Sequence, residues 1–346
     1  MKQIKFGLVG LGRIGKIHFE NIRLNCENAS VIAVSNLGPD NVKWINKRGV
    51  KHIYDSFSSM MLNDEINAVI ISSPTSLHSE HIIQAADAGK AIFCEKPIDL
   101  SLERVKKIHA LVKELKIPFM VGFNRRYDPS LMKVKSDIKN GIIGKPQIIK
   151  ITSRDPEPPS IDYIKTSGGL FLDMAIHDFD IACFMNQQKV ISVYSSGTVF
   201  GNPNIKKLGD LDTAITTLTF ENGSIASIDN SRKSAYGYDQ RIEVFGNLGI
   251  TASNNKLADS HYFADSNGIH NSNPLGFFIE RYSESYLLIL KKFIYCLLEN
   301  KEIPNNSKVG LNALLISLAA KKSFEENRVV DNPLGATPGL DGDNTP

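Results

Sequence analysis

The chain has 346 residues, more than a single hydrophobic core usually serves, so about two domains are expected. Its 42% hydrophobic and 22% charged residues describe a globular protein and exclude a collagen-like or wholly disordered chain. A formal net charge of +3, carried by lysines spread along the chain with no block of like charge, argues against a nucleic-acid partner.

From Met1 to about Val121, short β-rich runs alternate with helical patterns. The runs "IKFGLV", "SVIAVS", "NAVIIS" and "KAIFCE" are nearly continuous apolar stretches, the pattern of strands buried on both faces, so this half is predicted to be a parallel sheet covered by helices. The first run is short and has no small-residue cleavage site, which makes it a strand and not a signal peptide. Residues 14–25 and 80–88 read as crossover helices. Ser101 is a candidate N-cap for a helix running to about Lys116 and closed by Pro118.

After about Gly122 the pattern changes to a polar loop, a greasy helical stretch and several alternating runs. Asn222 and Gly223 lie between two of these runs, a strong hairpin signal. Helices packed on an antiparallel sheet are expected, with further helices over 280–299 and 309–325. "YLLILKKFIYCLL" is interrupted by Lys291 and Lys292 and falls short of the roughly 18 apolar residues of a spanning helix, so no membrane partner is expected. The domains are placed at 1–122 and 123–330, and 331–346, rich in Gly, Pro and Asp, reads as a mobile tail. Cys26, Cys94, Cys183 and Cys296 lie far apart with no C-x-x-C pair, which points to a reducing cytoplasm and to neither a metal site nor a disulfide framework.

Gly10, Gly12 and Gly15, with Arg13 and Ile14 between the last two, form G-x-G-x-x-G directly after the first strand and ahead of a helix. In that context backbone N–H groups and a helix N-terminus cradle a pyrophosphate. An Asp or Glu is expected about 20 residues on to bind the adenosine ribose of NAD. Here Ser35 and Asn36 take its place, which removes both the ribose acceptor and the repulsion of a 2′-phosphate. NAD, NADP or dual use all follow as readings of that site.

"CEKP" ends another strand and so places Lys96 at the carboxyl edge of the sheet, where ligands sit in open α/β folds. Alone, a lysine at a strand end is an ordinary surface residue. In "GGLFLDMAIHDFD", residues 168–180, a helical period puts Asp173, His177 and Asp180 within about 60° of one another beside an apolar stripe. Asp173 and His177, four apart, can pair so that the carboxylate orients the imidazole. A histidine titrating near neutral pH takes a proton from an alcohol as hydride leaves the same carbon. One such pair is commonly structural; a nicotinamide-binding half in the same chain shifts the balance towards chemistry.

With "GLGRIG", "SSPTSLHSEH", "CEKP", "VGFNRRYDPS", "SRDPEPPS", "GGLFLDMAIHDFD" and "YGYDQRIEVFG", the sequence resembles the Gfo/Idh/MocA oxidoreductase family from Gly7 to about Val330, and within it the inositol 2-dehydrogenase branch. The resemblance implies an α/β protein: an N-terminal Rossmann dinucleotide-binding domain, then a C-terminal α+β domain with a large open, mainly antiparallel sheet that serves oligomerisation. It implies oxidation of a cyclitol, myo-inositol to 2-keto-myo-inositol, with NAD or NADP as cofactor and a homo-oligomer as the working form.

By the same resemblance Lys96, Asp173 and His177 are the catalytic set, with His177 the acid/base. Arg126, Asp155 and Tyr236 join them at the substrate. Ser73, Pro74, Thr75 and His78 line the cofactor loop, and Glu95 and Asn124 lie beside the nicotinamide. An acid at position 36 is usual in NAD-preferring members, and Asn36 departs from that pattern. Oxidation of another polyol or sugar, and a non-catalytic dinucleotide sensor on the same fold, are the rival readings.

Overall fold

Six parallel strands make the first sheet of the computed structural model, which describes residues 3–35 and 38–334. They are β1 (Ile4–Val9), β2 (Ala29–Ser35), β3 (His52–Tyr54), β4 (Ala68–Ile71), β5 (Ala91–Cys94) and β6 (Phe119–Val121). Every residue of β4 and β5 is buried, as the unbroken apolar runs require of strands covered on both faces. The spatial order β3-β2-β1-β4-β5-β6 reverses direction between β1 and β4, opening a crevice at their carboxyl ends. Crossover helices run over Arg13–Asn25, His78–Asp87 and Leu102–Glu114, close to expectation. Ser101 caps the last of these by accepting the Arg104 N–H.

The chain forms two compact units. The residues up to Asp128 return for Ser283–Leu311 to complete the first; Pro129–Tyr282 and the residues from Asn312 onward form the second. This differs from a division at 122/123. The stretch read as one helix over 280–299 is split into Phe278–Arg281 and Ser283–Leu298, and the longer helix belongs to the first unit. Its Ile289, Leu290, Phe293 and Ile294 join the core built by Ile4, Phe6, Leu8 and Phe19. The Phe293 ring stands 6.2 Å from Phe6 and 5.9 Å from Phe93. The physical reason is that an open parallel sheet needs cover on both faces, and an apolar helix serves as cover wherever it comes in the chain. The boundary moves past 122 because Asn305 holds that segment, accepting from the Tyr127 hydroxyl at 2.6 Å and donating to Val121 O.

In the second unit, a seven-stranded sheet runs in the order β12-β11-β7-β10-β9-β8-β15. Its strands are β7 (Pro146–Arg154), β8 (Val190–Thr198), β9 (Thr213–Phe220), β10 (Ile225–Ser231), β11 (Asp239–Gly246), β12 (Gly249–Ser253) and β15 (Val330–Asp331). A separate hairpin pairs β13 (Tyr262–Asp265) with β14 (Gly268–Asn271). Only β7 and β10 are parallel to each other; the remaining pairs are antiparallel. The expected turn at Asn222–Gly223 joins β9 to β10, with Gly223 in the left-handed region at φ +83° that glycine enters without strain. Val330 and Asp331 pair with Val193 and Ser192 of β8, so the expected tail begins as a sheet edge. Its remainder, 335–346, lies outside the described residues. Among the described residues no helix is long and apolar enough to cross a membrane.

Strand alternation separates the faces of this sheet. Ile149, Ile151 and Ser153 of β7, Ala226, Ile228 and Asn230 of β10 and Ile242 and Val244 of β11 are buried. The helix Ile176–Asn186 lies on that side, where Asn230 donates to the Asp178 carboxylate at 2.8 Å. The opposite face carries Ile250, Phe245, Ile148 and Ile225 in register across four strands, each 40% to 55% exposed.

Candidate active site

In the first unit the phosphate loop is set by contacts that only glycine permits. Gly10 has φ +88°, and a Cβ there would stand 2.4 Å from Ser72 O and Ser73 N. A Cβ on Gly15 would stand 1.9 Å from Gly10 O. These two glycines let loop and helix close on each other, and Ser72 Oγ fastens the closure by donating to Gly10 O at 2.7 Å. Gly12 is different, since nothing lies within 4 Å of its Cβ position. It is the N-cap of the Arg13–Asn25 helix and offers no side-chain cap, so the N–H groups of the first turn, where Arg13 and Ile14 stand, are presented at the switch point of the sheet. A dinucleotide pyrophosphate fits this cradle in charge and in room. Ser35 ends β2 beside it; Asn36 lies outside the described residues.

The loops after β4 and β5 are tied together from below. His78 is 1% exposed, with Nδ1 2.8 Å from Pro97 O and Nε2 2.9 Å from Ser73 O. Burial holds its pKa below the usual histidine value, against the two carbonyls and the charges of Glu95 and Asp99. His78 therefore braces the segment Ser73–Thr75 from inside, while Pro74 lies exposed at its surface. Glu95 is held by His18, whose fully buried ring donates from Nε2 to Oε1 at 2.7 Å, and by the Lys96 N–H, 3.3 Å from Oε2. Gly122 packs against that carboxylate closely enough that a Cβ would sit 2.9 Å from it. Lys96 is partly exposed and precedes a cis bond to Pro97. Asn124 is buried and donates to Ser285 Oγ at 2.9 Å, fixing the 3₁₀ turn Asn124–Tyr127 that carries Arg126 to a partly exposed position.

In the second unit the stretch 168–180 is not the continuous α-helix that a 100° period assumes. Gly168 and Gly169 both have positive φ, and Leu170–Met174 winds as a π-helix, closed by Ala175 N–H to Leu170 O at 2.9 Å, before the α-helix starts at Ile176. The wider turn changes the angular relation of Asp173 to His177 and Asp180. Such turns recur at functional sites. Asp173 and His177 stay partly exposed, while Asp178 and Asp180 are buried at 1% and 3%. Asp173 Oδ1 accepts from the Tyr163 hydroxyl at 3.0 Å. Asp155 extends the β7–β10 ladder by one bond, its N–H donating to Ser231 O at 2.8 Å, so it stands at the shared carboxyl ends of the two parallel strands.

Tyr236 is 46% exposed, and its hydroxyl donates to Asp239 at 2.6 Å and accepts from Arg154 at 2.9 Å. Burial works to raise the Asp239 carboxyl, but the bonds from Arg241, Tyr236 and Asn255 outweigh it and hold the group below the usual carboxylate range. Sequence reading missed His18, Tyr163 and Arg232, which stand against Glu95 and Asp173, and Asp210, which reaches them only through Arg232 and the Leu170 N–H. None of them belongs to a spaced motif; a charged residue directly after an alternating strand, as Arg232 follows β10, is the one weak signal.

A parallel sheet with an open phosphate cradle at its switch point, followed in the chain by an α+β unit that carries histidine and carboxylates at a helix start, is the architecture of a dinucleotide-binding protein. Residues 4–123 match a family model described as an oxidoreductase family with an NAD-binding Rossmann fold, and residues 131–251 match the GFO/IDH/MocA C-terminal domain. The chain belongs to the Gfo/Idh/MocA oxidoreductase family, as its motifs implied. It is 42% identical to the myo-inositol 2-dehydrogenase of Thermotoga maritima over 94% of this chain and 98% of that one. It is 40% identical to the inositol 2-dehydrogenase of Rhizobium meliloti, with the same coverage. Among solved structures it resembles the scyllo-inositol dehydrogenase of Lactobacillus casei with bound NAD(H) and scyllo-inositol: TM-score 0.89 and 31% identity, over 95% of this chain and 99% of that one.

Proposed function

We propose that this protein oxidises a ring secondary alcohol of a cyclitol, myo-inositol to 2-keto-myo-inositol, with NAD as the hydride acceptor. The observation that carries the reading is similarity through both units, at nearly full length, to a protein named myo-inositol 2-dehydrogenase. scyllo-Inositol is the competing substrate, because a structural relative of lower identity holds that isomer.

The roles follow from chemistry. His177 takes the hydroxyl proton as hydride leaves the carbon, since an imidazole titrates close to the working pH. The Lys96 ammonium holds the reacting oxygen and stabilises the negative charge that develops on it. Asp173 binds a substrate hydroxyl and orients His177. Arg126 and Asp155 contact further ring hydroxyls. The Tyr236 phenol, with its proton donated to Asp239 and one bond accepted from Arg154, retains a second acceptor position for a hydroxyl.

Gly10, Gly12, Arg13, Ile14 and Gly15 hold the pyrophosphate, with Ser73, Pro74 and Thr75 along the opposite side of the crevice. His78 acts beneath them as their brace. Glu95 and Asn124 shape the floor near Lys96. Bound NAD supplies the hydride acceptor. Asn36 carries no charge to repel a 2′-phosphate, so use of NADP beside NAD is part of the proposal. The apolar row Ile250, Phe245, Ile148 and Ile225 supports a homo-oligomer built through the open sheet face, with Phe245→Glu expected to give a smaller species in light scattering.

The deciding experiment follows reduced-nicotinamide absorbance with a panel of inositols and aldoses, each offered NAD+ and NADP+. Turnover of myo-inositol with NAD+ is expected. Absence of turnover across the panel, with dinucleotide binding intact, would overturn the proposal.

A further inference from the structure

Among the described residues, Arg232 heads the fully buried side chains by size, at 1% exposure, directly after β10. A guanidinium keeps its charge at any physiological pH, and taking it out of water is unfavourable unless carboxylates face it. Two do. Nη1 stands 4.0 Å from Asp173 Oδ2, and Nη2 stands 3.7 Å from Asp210 Oδ2. Both separations exceed the roughly 2.7–2.9 Å of a closed charge-assisted bond. Arginine–carboxylate pairs frequently close into a two-point fork on one carboxylate; this guanidinium stands between two.

The surroundings fix it there. The Arg232 backbone N–H donates to Asp212 O at 2.7 Å, and the Asp212 carboxylate accepts from the N–H groups of Phe200 and Gly201 at 3.0 Å and 2.8 Å. Asp210 Oδ1 accepts the N–H of Leu170 at 2.9 Å, the first residue of the π turn that carries Asp173. Gly169 allows that approach, since a Cβ would stand 2.6 Å from the same oxygen. Arg232 thus acts on Asp173 twice: through charge at Oδ2, and through Asp210, which anchors the turn on which Asp173 rides. The Tyr163 hydroxyl holds the other oxygen.

We infer that Arg232 is a positioning residue for the dehydrogenase reaction, holding the Asp173 carboxylate and offsetting its charge while touching neither substrate nor cofactor. The inference rests on the reading of Asp173 as a substrate-binding group. Without the guanidinium, the carboxylates of Asp173 and Asp210, only 14% and 10% exposed, lose the charge that both stand against.

The test is a double-mutant cycle on the full-length protein, with kcat and KM for myo-inositol, NADH affinity and the melting temperature measured for each variant. Asp173→Asn reports on the underlying reading: if it is fully active, that reading fails and the inference falls with it. Given an impaired Asp173→Asn, Arg232→Met is expected to lower kcat/KM about tenfold or more while NADH affinity stays at wild type. In the Asp173→Asn background the same substitution is expected to cost little further, because its effect passes through that carboxylate. An undiminished loss in that background, or wild-type kcat/KM in a folded Arg232→Met, would overturn the inference. Should Arg232→Met fail to fold, Arg232→Lys, which keeps the charge and alters the reach, is carried through the same cycle under the same criteria.

Discussion

The two units position their candidate residues by different means. In the first, placement comes from the backbone: glycines that admit close contacts, strand ends at the switch point, and carbonyls braced by His78. In the second it comes from buried charged and polar side chains, with Arg232, Asp210, Asp178 and Asn230 holding a π turn and the helix after it. A cofactor shared by a whole enzyme class can be gripped by main-chain groups that any sequence supplies, given the right glycines. Discriminating among the hydroxyls of one ring calls for oriented side chains, and these need partners of their own.

The sharpest way to probe this division is one substitution in each unit. Lys96→Ala and His177→Ala are each expected to lower turnover by about two to four orders of magnitude. The His177 variant should bind NADH as wild type does, by fluorescence titration. Wild-type turnover in both variants would sink the assigned roles.

Within the first unit, Gly15→Ala and Gly12→Ala separate folding from ligand contact. The first places a Cβ 1.9 Å from Gly10 O and should weaken dinucleotide binding by about tenfold or more, with a stability loss of about 1–3 kcal/mol in denaturant titration. The second meets nothing in the chain, so its stability should stay within about 0.5 kcal/mol of wild type while affinity still falls. A Gly12→Ala variant that binds normally would show that the pyrophosphate does not pass over this residue.

A smaller effect is expected at position 36. Asn36→Asp should raise the ratio of kcat/KM with NAD+ to that with NADP+, because a carboxylate accepts from the ribose and repels a 2′-phosphate. An unchanged ratio would place the adenosine ribose elsewhere.

The mildest prediction concerns acid. Burial is the leading cause that lowers the pKa of His78, His81 and His109, all in the first unit, from the ordinary 6.5. The unfolded chain takes up protons near that value while the folded rings resist them. Their contribution is therefore whole above about pH 6.5 and is lost as pH falls through the lower folded values. The melting temperature should decline across that window, and His109→Asn should flatten the decline; an identical slope in that variant would remove His109 from the account.

Much of this was legible in the chain itself, for reasons that differ along it. Strand runs, the phosphate loop, the Ser101 cap and the Asn222–Gly223 turn depend on neighbours in sequence, and the structure has each where the pattern put it. The Lys96, Asp173 and His177 candidates were found through motifs, but their surroundings were not. The Asp173–His177 spacing read as regular helix, whereas the turn is a π-helix because Gly168, Gly169 and the Asp210 carboxylate shape its start.

What the sequence by itself determined, then, is the class of each unit and the residues able to do chemistry, since periodicity, glycine spacing and strand-end position are local properties. Only the tertiary structure decided that Ser283–Leu298 covers the first sheet, that His18 holds Glu95 from 77 positions away, and that Arg232 stands between Asp173 and Asp210. Burial and charge pairing depend on which distant segments meet, and a hydrophobic face or a lone arginine carries no record in sequence of what it will be packed against.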